Sequence, residues 1–185
     1  INNGFRALLP EKQKDTIKGA LDKIEELLRR YFLGILLQLL IIFILELIVF
    51  SIFGVKNAFI IALLCAVLNI IPFLGPLLAM VVASVLIMIS GIGGDFVHTT
   101  LPTVGYVLIG MLIIQLIDNN LNQPIIFSKS TNSHPLEIFL VTLISGTLLG
   151  ILGMIIAIPV YTALKVVLKE FYPKSTIIQI VTKGL

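Results

Sequence analysis

Asn69-Ile70-Ile71-Pro72-Phe73-Leu74-Gly75-Pro76 lies between two wholly apolar segments and breaks them where a membrane helix would ordinarily continue. Pro72 removes a backbone donor and crowds the preceding turn, and Pro76 is expected to do so again. Gly75 between them is expected to allow a sharp reversal. In lipid, broken backbone survives only where protein or a water-filled cavity satisfies it. The stretch therefore reads as the tip of a re-entrant hairpin or as a kink facing a cavity.

Composition agrees with a bilayer setting. Apolar residues make up 58% of the chain and charged residues 12%, against about 45–50% and 25% in soluble domains. No signal peptide is visible and Ile1 is not an initiator, so the chain is expected to begin inside a longer protein. The single cysteine, Cys65, lies in an apolar run and reads as a packing residue. There is no Cys/His cluster with metal-ligand spacing and no cofactor motif. Residues 1–31 hold seven of the 13 basic residues and five of the ten acids. Both signs interleave beside a membrane span, which argues against nucleic acid as a partner.

Outward from the break, the chain reads as all-α and polytopic. Residues 1–31 form a membrane-flanking segment, with an amphipathic helix over 10–31 whose stripe is Ile17, Leu21, Ile24, Leu28 and Tyr31. Glu25 and Arg29 are an i, i+4 pair on its wet face. Residues 32–53 are a first span, about 33 Å long as a helix, interrupted by Gln38 and Glu46. A carboxylate at that depth marks a functional site unless it reaches the interface or Lys56. The segments 58–71 and 77–90 are too short to cross alone, about 21 Å each, and make a broken pair with small residues at Gly75, Ala79 and Ala83.

Residues 91–102 read as a polar loop containing His98. Residues 103–118 read as a second span running into Asp118-Asn119-Asn120-Leu121-Asn122-Gln123-Pro124. An Asp at a helix C-terminus opposes the dipole. Asp118 thus requires a cation, a proton or a donor from another helix, and it is a candidate transient station for Na+. A second broken pair follows over 136–168, its pieces 136–149 and 154–168 joined through Gly150-Ile151-Leu152-Gly153, with Gly146-x-x-x-Gly150 as a close-packing pattern and a breaking Pro159. A tail over 173–185 ends the chain, and Lys165, Lys169, Lys174 and Lys183 are expected in water. The transmembrane domain is thus 32–172. Span plus broken pair occurs twice, with opposite entry, the pattern of an inverted-repeat transporter with a midplane site. Lys and Arg concentrate on the side of residues 1–31 and the tail, which places that side in the cytoplasm.

Ile71-Pro72-Phe73-Leu74-Gly75-Pro76 resembles the I-P-x-x-G-P signature of the autoinducer-2 exporter (AI-2E, PerM-like) family of bacterial permeases. Asp118-Asn119 with Pro124, then His134-Pro135, Gly146, Gly150, Gly153 and Pro159, resemble its second block. The ordered set covers roughly residues 5–172. The resemblance is to the C-terminal half or more of longer chains. It implies a multi-pass inner-membrane transporter that works as a homo-oligomer. It also implies export of the quorum-sensing signal autoinducer-2, or Na+(Li+)/H+ antiport. For a small, hydroxyl-rich solute, Asn69, Asp118, Asn119 and Asn122 offer polar contacts. For antiport, Asp118 and Glu46 are the deep titratable candidates. Pro72, Gly75, Pro76, Pro124, Gly150, Gly153 and Pro159 shape the expected pathway. A non-transporting membrane scaffold is the alternative from another class, and it predicts that Asp118 and the hairpin prolines are replaceable. No nucleophile–base pair supports an enzyme.

Overall fold

The computed structural model describes residues 11–122 and 135–171, with side chains described over 18–121 and 136–169. The expectations for Pro10, Pro124, His134 and the 173–185 tail lie outside these residues, as do those for the side chains of Ile17 and Asn122. The fold is all-α. Its helices are α1 (Glu11–Ile52), α2 (Ala58–Leu68), α3 (Leu74–Ser90), α4 (Leu101–Ile117) and α5 (Pro135–Phe171). Single π-helical turns, Phe96–Thr100 and Asp118–Asn122, flank α4. Among the described residues three stretches are long and apolar enough to cross a membrane: Lys18–Ile52, Phe96–Leu121 and Leu136–Lys169.

The amphipathic segment and the first span are one continuous helix of 42 residues, about 63 Å long. Its buried seam runs through Ala20, Leu27, Tyr31, Ile35, Gln38, Ile42, Glu46 and Phe50, mostly three or four residues apart. Of the expected stripe, Tyr31 is buried in this seam and Ile24 packs against it, but Leu21 is corrected. Leu21 is 59% exposed, because the face of α1 that is covered is the one meeting Val166 and Ile158 of α5. The wet-face ion pair joins Glu26 and Arg30, not Glu25 and Arg29, at 2.6 Å.

α1 stops at Gly54. The Val55 N–H donates to the Phe50 carbonyl at 2.9 Å and the Gly54 N–H to the Ser51 carbonyl at 3.1 Å. Gly54 takes φ +67°. This is the paired-bond helix end that a glycine makes easy, and the buried Phe50 and Val55 share one core cluster.

α2 and α3 pack as a hairpin on α1 and α4. Their seam consists of Ile61, Ala62 and Cys65 against Ala79, Ala83 and Ile87, all buried. The Cys65 thiol donates to the Ala79 carbonyl at 3.5 Å. Small residues let the two backbones approach, as expected. The turn itself differs from expectation. The reversal falls on Phe73 (φ +63°). Gly75 serves close approach instead: a Cβ there would lie 2.8 Å from the Asn69 Cα. Pro76 does not break a helix. It sits in the first turn of α3, where no intrahelical donor is lost.

α5 folds back on itself. In a straight helix Glu137 and Tyr161 would stand about 36 Å apart, yet the Tyr161 hydroxyl donates to Glu137 Oε2 at 3.0 Å. The reversal is at Gly150, with φ +63° and ψ −149°, a conformation open essentially to glycine. A Cβ on Gly153 would lie 2.8 Å from the Ser145 carbonyl carbon. The two arms therefore touch backbone to backbone there, while Gly146 only meets the Met154 side chain. Pro159 does not break the second arm. It is buried beside Ala157 and Ile158, and packing of this face on α1 holds the arm helical. The expected loop over 91–102 is shorter than read, since helical structure resumes at Phe96.

Candidate functional site

Gln38 on α1 and Asp118 at the end of α4 form the buried polar centre. The Gln38 Nε2–H donates to Asp118 Oδ2 at 2.7 Å, and the two residues are 9% and 1% exposed. A donor from another helix thus answers the carboxylate that opposes the α4 dipole. Asp118 stands where the α-helical pattern passes into a π turn, a device that re-aims a side chain inside a helix.

The turn of the α2–α3 hairpin lies at the same level of α1. Ile70 packs against the buried cluster of Tyr31, Ile35 and Ile158, as do Leu39 and Ile138. Phe73 meets Phe139 of α5 edge to face at 5.7 Å. The two hairpins therefore touch, and their contacts share the stretch of α1 around Ile35 to Leu39. Along α5 the order is reversed: Ile158 meets α1 near Ile35, and Val166 meets it near Ala20 and Leu27.

The other expected site residues are placed individually. The Asn69 amide donates to the Cys65 carbonyl at 2.9 Å, closing its own helix end. Asn119 accepts from Gln115 Nε2 at 3.0 Å. Asn122 lies within the π turn. Glu46 is 3% exposed, and its Oε2 has no hydrogen-bond partner among the described residues. It forms no ion pair with Lys56 among the described residues. It lies two helical turns, about 12 Å, from Gln38 on the same seam.

Sequence reasoning missed a second polar cluster. Lys165 was expected in water, but it is 3% exposed. Its ammonium donates to Glu137 Oε2 at 3.0 Å and sits 4.9 Å from the Tyr161 ring. The available signal was Tyr161 and Lys165 at i, i+4 within an apolar run; their partner lies 28 residues from Lys165. Among the described residues no group of three or more His, Cys, Asp or Glu could hold a metal.

The profile of the AI-2E family transporters matches residues 1–173. This chain belongs to the AI-2E transporter family. Family members are transporters, not enzymes, and this AI-2E chain is a multi-pass protein of the inner membrane. It is 32% identical over 169 residues to the putative transport protein YrrI of Bacillus subtilis, covering 91% of this chain and 45% of that protein. It is 34% identical over 142 residues to the putative transport protein YueF of the same organism, covering 77% and 36%. Over 118 residues it is 31% identical to the AI-2 transport protein TqsA of Escherichia coli, covering 63% and 31%. The chain thus spans less than half the length of these relatives.

Proposed function

We propose that this chain carries the solute pathway of a secondary transporter that exports a small, hydroxyl-rich, mostly uncharged solute such as autoinducer-2, as a homo-oligomer. The observation that carries this is the buried Gln38–Asp118 hydrogen bond, 2.7 Å long, at the level of the α2–α3 turn. A buried polar pair inside a membrane bundle marks a pathway more often than a packing contact. The kinship with a protein named for AI-2 transport supports the solute class.

The two hairpins are proposed to be re-entrant and to enter from opposite sides, with Pro72, Gly75, Pro76, Gly150, Gly153 and Pro159 shaping their turns and arms. What supports this is the short arm α2, of 11 residues, and the opposed order of the hairpins along α1. The N-terminal segment and the tail are proposed to be cytoplasmic, on the excess of Lys and Arg in residues 1–31. Lys165, buried in an ion pair, no longer counts towards that excess.

The test is efflux of labelled autoinducer-2 from liposomes holding the full-length protein. Wild type should exceed empty liposomes, and Asp118→Asn should lose at least tenfold while remaining folded. Efflux unchanged by Asp118→Asn, or absent in folded wild type, overturns the proposal.

Glu46 favours a second reading, Na+(Li+)/H+ antiport, because a buried carboxyl oxygen without a hydrogen-bond partner among the described residues suits exchange of a proton for a cation. Asp118 would then be a transient Na+ station. A pH dye inside the same liposomes reads it. Proton flux that follows added Na+ or Li+ and disappears in Glu46→Gln supports antiport, and a silent, folded wild type rejects it.

A further inference from the structure

The far end of the bundle, away from Gln38 and Asp118, holds a cavity of about 340 Å³ between the Gly54–Lys56 turn, the end of α3 and the start of α4. That volume lies within the range of small-molecule sites, about 300–1,000 Å³. Its polar walls are Lys56, Ser90, Asp95, Thr99 and Thr103. Gly91 closes against the buried Thr100, whose Cβ would be 2.8 Å from any Cβ at position 91. Gly93 and Gly94 leave the adjoining wall without side chains.

The hydrogen bonds give this cavity a polarity. The Ser90 hydroxyl donates to the Ile87 carbonyl at 2.8 Å. The Thr103 hydroxyl donates to the Thr99 carbonyl at 2.9 Å. Both hydroxyl protons are engaged, so both oxygens present lone pairs only. Asp95 Oδ1 accepts from the His98 N–H at 2.9 Å, and its other oxygen remains an acceptor. Lys56 supplies donors and no acceptor. The Thr99 hydroxyl both donates and accepts. Together this lining suits a neutral molecule with several hydroxyls, which donate to Ser90, Thr103 and Asp95 and accept from Lys56 and Thr99. Lys56 and Asp95 carry opposite charges, so the lining as a whole has no net charge to attract an anion or a cation.

We infer that this cavity binds a neutral, hydroxyl-rich solute of monosaccharide size at the mouth through which exported solute leaves. The position of the mouth rests on the proposed exporter, since this end lies opposite the N-terminal segment. The binding chemistry stands separately.

The test is saturation-transfer NMR with D-ribose as probe on the full-length protein in nanodiscs, with ribose 5-phosphate as the anionic comparison. Wild type should show a ribose signal above empty nanodiscs and a weaker one for the phosphate. Lys56→Met/Ser90→Ala/Thr103→Val should reduce the ribose signal at least fivefold. Ser84→Ala removes a hydroxyl bonded likewise within α3 but outside the cavity, and it should leave the signal unchanged. If the triple variant does not fold, the single Ser90→Ala and Thr103→Val variants should each lose about half. No ribose signal in wild type, a signal indifferent to the cavity substitutions, or an equal signal from the phosphate overturns the inference. Autoinducer-2 efflux by a protein that gives no ribose signal rejects the cavity and leaves the exporter standing. A ribose signal lost in the cavity variants, without efflux by wild type, supports the cavity and rejects the exporter.

Discussion

Gly75→Ala tests the packing on which the site depends. The added methyl would lie 2.8 Å from the Asn69 Cα and 3.0 Å from the Leu68 carbonyl carbon, with the Leu68 carbonyl oxygen closer still. Ordinary contact begins at 3.4 Å, so α3 and the end of α2 must part by more than half an ångström, roughly. The obstacle is backbone and cannot rotate away. Overpacking a tight core costs about 1–3 kcal/mol, and a backbone obstacle puts this substitution in the upper half of that range. Gly105→Ala is the control: it is a helical glycine on α4 with nothing within 4 Å of the new methyl. Its helix should gain up to about 1 kcal/mol. The measurement is the unfolding equilibrium in mixed micelles, with both variants in parallel. Gly75→Ala should lose about 2–3 kcal/mol, some thirtyfold or more in the equilibrium constant, while Gly105→Ala is neutral or more stable. Equal stabilities would refute the close-approach account of Gly75. Because Ile70 packs against the cluster of Tyr31, Ile35 and Ile158, the strained turn should also slow efflux.

Other substitutions separate stability from transport. Glu46→Leu replaces a buried carboxyl carrying an unpartnered oxygen, so unfolding in micelles should show no loss, and up to about 2 kcal/mol of gain, together with loss of any cation-dependent proton flux. Glu137→Gln takes the carboxylate from a cation whose side chain is 4% exposed and should cost about 1–3 kcal/mol. That is less than for a fully buried pair, because Glu137 is itself 40% exposed. Adding Lys165→Met in the same chain should recover most of the loss in that titration. Gly150→Ala forces a Cβ into φ +63°, ψ −149° and should cost about 1–3 kcal/mol. Open space around it cannot relieve the strain. A loss under half a kcal/mol, roughly, in thermal or chemical unfolding would refute it.

The breaks in the apolar runs could be read directly, because proline and glycine act through local backbone geometry. Both reversals fall in the expected stretches, at Phe73 and Gly150. Which residue does what could not be read so easily. Gly75 was expected to turn the chain and instead admits a neighbouring backbone. Pro76 and Pro159 were expected to break helices and sit inside them. A proline at the first turn loses nothing, and a proline in a packed arm is held helical by its neighbours. The stripe on α1 was displaced for a related reason. Its apolar residues share one face about 120° wide, and α5 covers only the edge with Ala20, Leu27 and Tyr31, leaving Leu21 at the other edge exposed; periodicity finds the face but not the edge that is covered.

The sequence by itself determined the membrane class, the all-α architecture, the breaks at 69–76 and 150, and the family, since these follow from composition, local backbone chemistry and ordered motifs. Only the tertiary structure decided that Asp118 is met by Gln38 from 80 residues away, that Lys165 is buried against Glu137, and that Glu46 is left with an unpartnered oxygen. A polar side chain inside an apolar bundle takes its meaning from whichever group lies within about 3 Å. That distance is set by how the helices pack, and no spacing along the chain encodes it.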